Sequence, residues 1–209
     1  MNRFYFFAFV FLGLISVPKL SFGQDTSRTV TRTNYKQEIV INHQRFRIWN
    51  NWTSGGFGLA YHSKNPRTQV VLNFNYNFHI HQYYFRFGGL ISGDLQDGFS
   101  VRNNYQAHIG YVPYRVDNQI YHAALIGGIS YSTGYRYLYG GNYDNINPYK
   151  AWGVYLEAQY IRKISYGVGG GLAFFVNVDS ANTLAGICLD VYLSSAYKGY
   201  AKGYNPPPK

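Results

Sequence analysis

Between residues 52 and 198 the chain is built from segments in which apolar and polar or small residues alternate one by one. The clearest runs from Gln69 to His81: Val70, Leu72, Phe74, Tyr76, Phe78 and Ile80 fall on one side, and Asn73, Asn75, Asn77, His79 and His81 on the other. A period of two marks an extended strand, whose successive side chains point to opposite faces. The stretch from Ile164 to Val178 has the same form, with Tyr166, Val168, Leu172, Phe174 and Val176 opposite Ser165, Gly167, Gly169, Gly171 and Ala173. Eight strands are expected, over residues 53–62, 69–80, 83–93, 104–113, 119–132, 151–162, 164–178 and 184–197.

Alternation alone does not say which face meets water. A soluble barrel of the lipocalin kind turns its apolar face inward and shows water a face rich in Lys and Glu. Here only 13% of residues are charged, and the polar faces are Gly, Ala, Ser, Asn and His. Those residues fit the inside of a narrow cylinder, which leaves the apolar faces outward against lipid. Aromatic placement agrees: Tyr105 and Tyr111 bracket Ala107 and Ile109, Tyr121 and Tyr131 bracket Ala123, Leu125 and Ile129, and Trp152 and Tyr160 bracket Val154 and Leu156. Two interfacial girdles have this pattern. The expected fold is therefore all-β, an eight-stranded antiparallel transmembrane β-barrel with a packed interior.

The expected connections alternate in length. Residues 62–67, 94–103, 133–150 and 179–183 are the longer ones, and 81–82, 114–118 and 162–163 the short turns. Short turns belong to the periplasmic side, so both termini are expected there. The longest connection carries Tyr135, Tyr137, Tyr139 and Tyr143 among Gly and Asn, a candidate binding loop because rigid aromatics with adaptable polar neighbours suit recognition.

Composition bounds the rest. The 209 residues are one domain's worth, and an aromatic content of 20%, with 23 Tyr, fits interface-seeking side chains. Residues 1–23 have the form of a secretory signal peptide: Arg3, an apolar run from Phe4 to Val17, then Ser21-Phe22-Gly23 with small residues at the cleavage positions. Cys188 is the one cysteine, so neither lipoprotein processing nor an internal disulfide is expected. No later apolar run approaches the roughly 20 residues of a helical span. Cleavage would remove Arg3 and Lys19 and lower the net charge from +10 to +8. The remaining charges form no stripe, which argues against nucleic acid. Outer-membrane lipid and lipopolysaccharide, or an acidic protein in a periplasmic or outer-membrane complex, are the expected partners. Residues 24–51 read as a basic periplasmic extension with a β-prone centre, Glu38 to Ile41, residues 52–198 as the barrel, and residues 199–209 as a flexible Pro-rich tail.

The last expected strand, Leu184 to Tyr197, places Ala185, Ile187, Leu189, Val191 and Leu193 outward and ends on Tyr197. With that ending the chain resembles the small eight-stranded outer-membrane β-barrel proteins of Gram-negative bacteria, the OmpA-transmembrane and OmpX-like group. The resemblance is architectural and spans residues 52–198. It implies a final strand whose terminal aromatic serves as an assembly signal, although here the chain continues from Lys198 to Lys209.

Few groups on the inner face carry chemistry. Arg86, Glu157 and Asp190 are expected to meet as a structural ion cluster, since an unpaired buried charge is very costly; a proton or ion path is the alternative. His79 and His81 have the spacing of a shared metal site, with His108 or His122 as further ligands, but histidines satisfied within the lumen are the simpler reading. His62-Ser63 is reminiscent of outer-membrane lipid A deacylases, yet neighbours on a strand face opposite sides and no carboxylate lies near. Gly167, Gly169, Gly170 and Gly171 lead into no helix, so they are no nucleotide fingerprint. No catalytic residue, metal or cofactor is expected. The expected role is a structural or interaction component of the cell envelope, a scaffold or accessory subunit, with a narrow channel or a lipid A-acting enzyme as alternatives.

Overall fold

The structure, a computed structural model, describes residues 30–31, 38–94, 103–137, 146–201 and 203. The expected signal peptide lies outside them. In chain order the strands are β1 (Val30–Thr31), β2 (Glu38–Ile41), β3 (Gln44–Arg47), β4 (Trp52–His62), β5 (Asn65–Ile80), β6 (Tyr83–Asp94), β7 (Asn104–Asp117), β8 (Tyr121–Tyr137), β9 (Ile146–Ser165), β10 (Val168–Asp179), β11 (Thr183–Ser194) and β12 (Tyr197–Tyr200). Strands β4 to β11 form a closed eight-stranded antiparallel barrel, in which β11 returns to pair with β4.

Inside and outside follow the alternation. On β5, Leu72, Phe74 and Tyr76 are exposed while Asn73, Asn75 and Asn77 are buried. Around the wall Phe57, Phe87, Ile109, Ile129, Val154, Phe174, Leu189 and Val191 are all exposed. In water such a continuous apolar belt would drive association; around a closed barrel it is the surface that lipid covers. Aromatic pairs flank the belt. Tyr131 and Trp152 lie 5.0 Å apart at the loop end, and Tyr121–Tyr160 and Tyr83–Tyr111 lie 5.9 and 6.3 Å apart at the turn end, where the two chain termini also emerge.

Several boundaries differ from the expected ones. The β8–β9 hairpin is longer, with pairing continuous out to Tyr137 and Ile146, so residues 133–137 and 146–150 of the expected connection are strand. β-prone Thr133, Tyr135 and Tyr137 extend the ladder, and the turn-forming Gly140, Gly141, Asn142 and Asp144 are concentrated beyond it. β9 also runs past Arg162 and Lys163 to Ser165, and turns at Tyr166-Gly167. Basic residues do not break a strand, whereas glycine favours the turn. The β4–β5 hairpin closes on Ser63-Lys64, which makes it as tight as the turns opposite.

The largest departure is at the termini. β2 and β3 form a hairpin through Asn42 and His43, at φ 49° and 63°, the left-handed pair of a tight two-residue turn. β12 adds to β3, giving a four-stranded sheet in the order β1-β2-β3-β12. The last barrel strand therefore ends at Ser194, and Tyr197 pairs with Phe46 instead of closing the barrel wall. Gly199 and Tyr200, expected in the tail, lie in this strand. Ile39, Phe46, Tyr166 and Ala196 form a small core beneath the sheet, with Phe46 and Tyr166 ring centroids 4.7 Å apart. Tyr166 is thus buried under the sheet, not turned to lipid, because it sits in the β9–β10 turn rather than within a strand.

Candidate functional site

The lumen is filled by side chains whose polar ends meet across the axis. Arg86 on β6 and Glu157 on β9 are both fully buried and lie 2.5 Å apart, Nη1 to Oε1. Their contact is ionic rather than a well-angled hydrogen bond. Arg86 also donates through Nε to Asn77 Oδ1 at 2.8 Å, and Glu157 accepts from the Tyr155 hydroxyl through its other oxygen. Asp190 on β11 takes a different set of partners, Asn73 Nδ2 at 3.1 Å and Gln159 Nε2 at 2.9 Å. Of the three expected charges, two form a direct pair and the third is held by amides.

Glycines on the inner face make these crossings possible. Asn75 and His108 stand on β5 and β7, with Gly88 of β6 level between them. His108 Nε2 reaches Asn75 Oδ1 at 2.9 Å over that glycine and carries the proton, because an amide oxygen only accepts. A Cβ on Gly88 would lie 2.1 Å from Asn75 Oδ1 and 2.5 Å from His108 Nε2. Gly56 stands in the same way between Asn73 and Asp190. His108 also stacks on Tyr155 at 4.0 Å. Toward the loop end there remains a cavity of about 10 Å³ lined by His62, Ser92, Gln106, Ser132, Asn177 and Asn182, room for one water molecule.

At the turn end the mouth is closed by a second network. Arg115 donates to Tyr84 Oη at 2.7 Å, Asn50 Oδ1 at 2.5 Å and the Ile48 carbonyl at 3.4 Å, and pairs with Asp117 Oδ2 at 2.6 Å. Its guanidinium lies 4.5 Å from the Tyr84 ring centroid and 4.9 Å from that of Trp52, within cation–π range. Asp117 Oδ1 in turn faces Lys163 Nζ at 2.6 Å and His122 Nδ1 at 3.1 Å. Residues 48–50, which lead from the terminal sheet into β4, are therefore laced to the barrel mouth by one arginine.

Sequence reading missed Arg115, Asp117 and Lys163 because it placed all three beyond their strands. Pro113 was the available signal: a proline in a strand marks a bulge, and the irregularity between Tyr111 and Tyr114 shifts the side-chain parity so that Arg115 and Asp117 turn inward. Lys163 simply continues the inward series Glu157, Gln159, Ile161.

The remaining candidates are separated. His79 lies beside Asn51, Nδ1 to Oδ1 at 2.8 Å, but His81 sits in the turn at φ 56° and does not continue its face. His122 belongs to Asp117. Among the described residues no group of three or more His, Cys, Asp or Glu is arranged to hold a metal. His62 is buried and accepts from the Lys64 amide at 3.3 Å, whereas Ser63 is exposed and its hydroxyl oxygen accepts from the Thr183 amide at 2.8 Å. Tyr135 is exposed on β8, its amide bonded to Asn104 Oδ1 at 2.9 Å. Tyr137 is in the same strand, and Tyr139 and Tyr143 lie outside the described residues.

No protein-family model and no curated protein matches the sequence. Solved structures do match. Neisserial surface protein A aligns with TM-score 0.50 at 10% identity, covering 69% of this chain and 96% of that one. The N-terminal β-barrel domain of OprF from Pseudomonas aeruginosa gives 0.48 at 7%, covering 69% and 98%. Ail, the attachment invasion locus protein of Yersinia pestis, gives 0.46 at 11%, covering 71% and 97%. At 10% identity the likeness to Neisserial surface protein A is one of fold, and it agrees with the closed wall and the exposed apolar belt. The chain has the fold of the small eight-stranded outer-membrane β-barrels and carries, at its turn end, a four-stranded sheet made from both termini.

Proposed function

We propose that the protein is an accessory or scaffold component of the cell envelope: the barrel anchors it in the outer membrane, and the terminal sheet presents a basic surface to an acidic periplasmic partner. The observation that carries this reading is the distribution of charge. Residues 24–51 and 195–209 hold eight Lys and Arg against Asp25 and Glu38 alone, with Arg45, Arg47 and Lys198 on the strands of the sheet, whereas residues 52–194 hold nine against seven acidic residues. The sheet is held to the barrel through Arg115 and the Phe46–Tyr166 contact, so its surface is ordered before a partner arrives. Short turns and both termini mark the periplasmic end. Lys64 and Lys150, exposed at the opposite end, are then placed to meet lipopolysaccharide phosphates.

Photo-crosslinking in cells tests the proposal. A crosslinker at Lys198 should capture a periplasmic protein, and the charge reversal Arg47→Glu should abolish that capture while heat-modifiable migration of the barrel persists. Unchanged capture by the Arg47→Glu variant would refute the electrostatic reading. Labelling of position 198 by reagents confined to the outside of intact cells would show the orientation to be inverted. The filled lumen supports a barrel that carries no steady current in a planar bilayer; ion-selective openings lost on Arg86→Ala would favour a channel instead.

A further inference from the structure

We infer that the terminal sheet is a clasp on the barrel seam, able to form only after the first and last barrel strands have joined and, once formed, holding them together. β4 and β11 are the ends of the barrel in sequence, so their ladder is the seam by which the wall closes. β3 and β12 flank those two strands and pair with each other, which continues the seam out of the barrel. Four backbone-directed hydrogen bonds tie this continuation: Ser195 N to Asn51 O at 3.0 Å, Arg47 N to Ala196 O at 2.7 Å, Ala201 N to His43 O at 2.7 Å, and Ser195 Oγ to Asn51 O at 3.2 Å.

Chain connectivity makes the clasp conditional. Only residues 48–51 join β3 to β4, and only 195–196 join β11 to β12. Fully stretched, the two connectors reach about 27 Å in total at 3.4 Å per step, and the spacing of the β3–β12 pair adds about 5 Å, for a span of about 32 Å. An unclosed sheet of eight strands holds its edges roughly 34 Å apart at 4.8 Å per strand. The connectors are not stretched, since residues 48 and 49 form a bend. Pairing of β3 with β12 therefore requires the edges to have come together. By reciprocity, whatever forms only in the closed barrel stabilises closure.

The seam has need of it. β4 contributes Gly56 and Gly58 to its inner side, where an added Cβ would lie 2.0 Å from Leu189 O and 1.9 Å from Ile187 O. The two backbones are close there, and interdigitating side chains are few. The clasp supplies what those positions lack: Phe46 packs on Tyr166 at 4.7 Å and on Tyr197 at 5.8 Å, joining the N-terminal segment, the β9–β10 turn and the C-terminal segment.

The register pair Gln44 and Tyr200 offers a direct test. In a Cys188→Ala background, which removes the competing thiol, the double variant Gln44→Cys/Tyr200→Cys is refolded into liposomes under mild oxidation. The disulfide is expected only in the heat-modifiable, folded species, and the oxidised protein should lose that species at least about tenfold more slowly in denaturant than the reduced one. Phe46→Ala should act in the opposite direction, accelerating the loss about tenfold or more. Disulfide formed at the same rate in protein that has not closed its barrel would overturn the conditional pairing. Equal unfolding rates for oxidised and reduced protein would overturn the clasp, whether or not Phe46→Ala folds.

Discussion

The barrel wall and the terminal sheet are both antiparallel β-structure, yet each solves the problem of its two faces in the opposite way. In the wall the apolar face is outside and the polar face inside, so the interior must satisfy charges and amides away from water: Arg86 meets Glu157, and Asp190 meets Asn73 and Gln159. In the terminal sheet Ile39 and Phe46 turn inward onto Tyr166 and Ala196, and the ion pair of Arg45 with Glu38 lies on the solvated side. The wall has no edges because it closes; the sheet ends in β1 and β12. The difference teaches where a polar interaction matters. Among the described residues the same type of pair, arginine with glutamate at 2.5 Å, occurs once in the dry lumen and once at the surface, and the two should differ greatly in what their loss costs.

The largest effect is expected in the lumen. Glu157→Ala strands Arg86 without its partner in a site from which water is excluded, and should cost about 3–5 kcal/mol of barrel stability. Arg86→Met together with Glu157→Ala should recover most of that loss, because the penalty lies in the unpaired charge more than in the missing attraction. Denaturant titration in liposomes measures both. A double variant no more stable than the single one would show that Arg86 is held chiefly by Asn77 and that the pair is not the unit.

On the outer face, Leu156→Arg places a charge midway between the Trp152 and Tyr160 girdle positions. It should cost about 2–4 kcal/mol, the price of a cation at mid-membrane depth. Refolding into liposomes with parental stability would mean that the belt does not meet hydrocarbon, and the contrast between wall and sheet would collapse.

How far this contrast could be read in advance depended on the length over which a pattern repeats. Eleven or more residues in each barrel strand give period two enough repeats to reveal strand and face, and Arg86, Glu157 and Asp190 were legible because few ionisable residues fall on the inner face that this period defines. The inner mouth was not. Its arginine and aspartate lie beyond the bulge at Pro113, where parity shifts, and extrapolating the rule carried them out of the barrel. β3 and β12 are four residues each, too short for periodicity, and they pair across some 150 residues of intervening chain. Only the hairpin turn at Asn42-His43 was local. The chemistry of a partner leaves still less trace, since clustered charge shows a preferred sign and no identity.

A smaller effect should follow from Gly88→Ala. The new methyl group would occupy the space through which His108 reaches Asn75, and either the bond breaks or the backbones of β5 to β7 move apart. A buried donor left without its acceptor costs about 1–3 kcal/mol. The neighbouring outward-facing Gly89 is the control, because a Cβ there would find no atom nearer than Gln106 O at 3.4 Å. If Gly88→Ala and Gly89→Ala are equally stable, the glycine-bridged crossing is not a constraint on the lumen.

The smallest effect should come from the surface counterpart of the lumen pair. Arg45 and Glu38 are 35% and 24% exposed at the side chain, so water and salt already screen the attraction, and holding two flexible side chains together offsets part of it. Arg45→Gln should cost about 0–1 kcal/mol and less still as salt is raised. The measurement that sharpens the comparison is the salt dependence of each pair: Arg45→Gln should converge on the parent in high salt, while Glu157→Ala keeps its full deficit because ions do not reach the lumen. A deficit for Arg45→Gln that is both large and insensitive to salt would place this pair in a water-excluded site, and the terminal sheet would then have to be covered by something more than solvent.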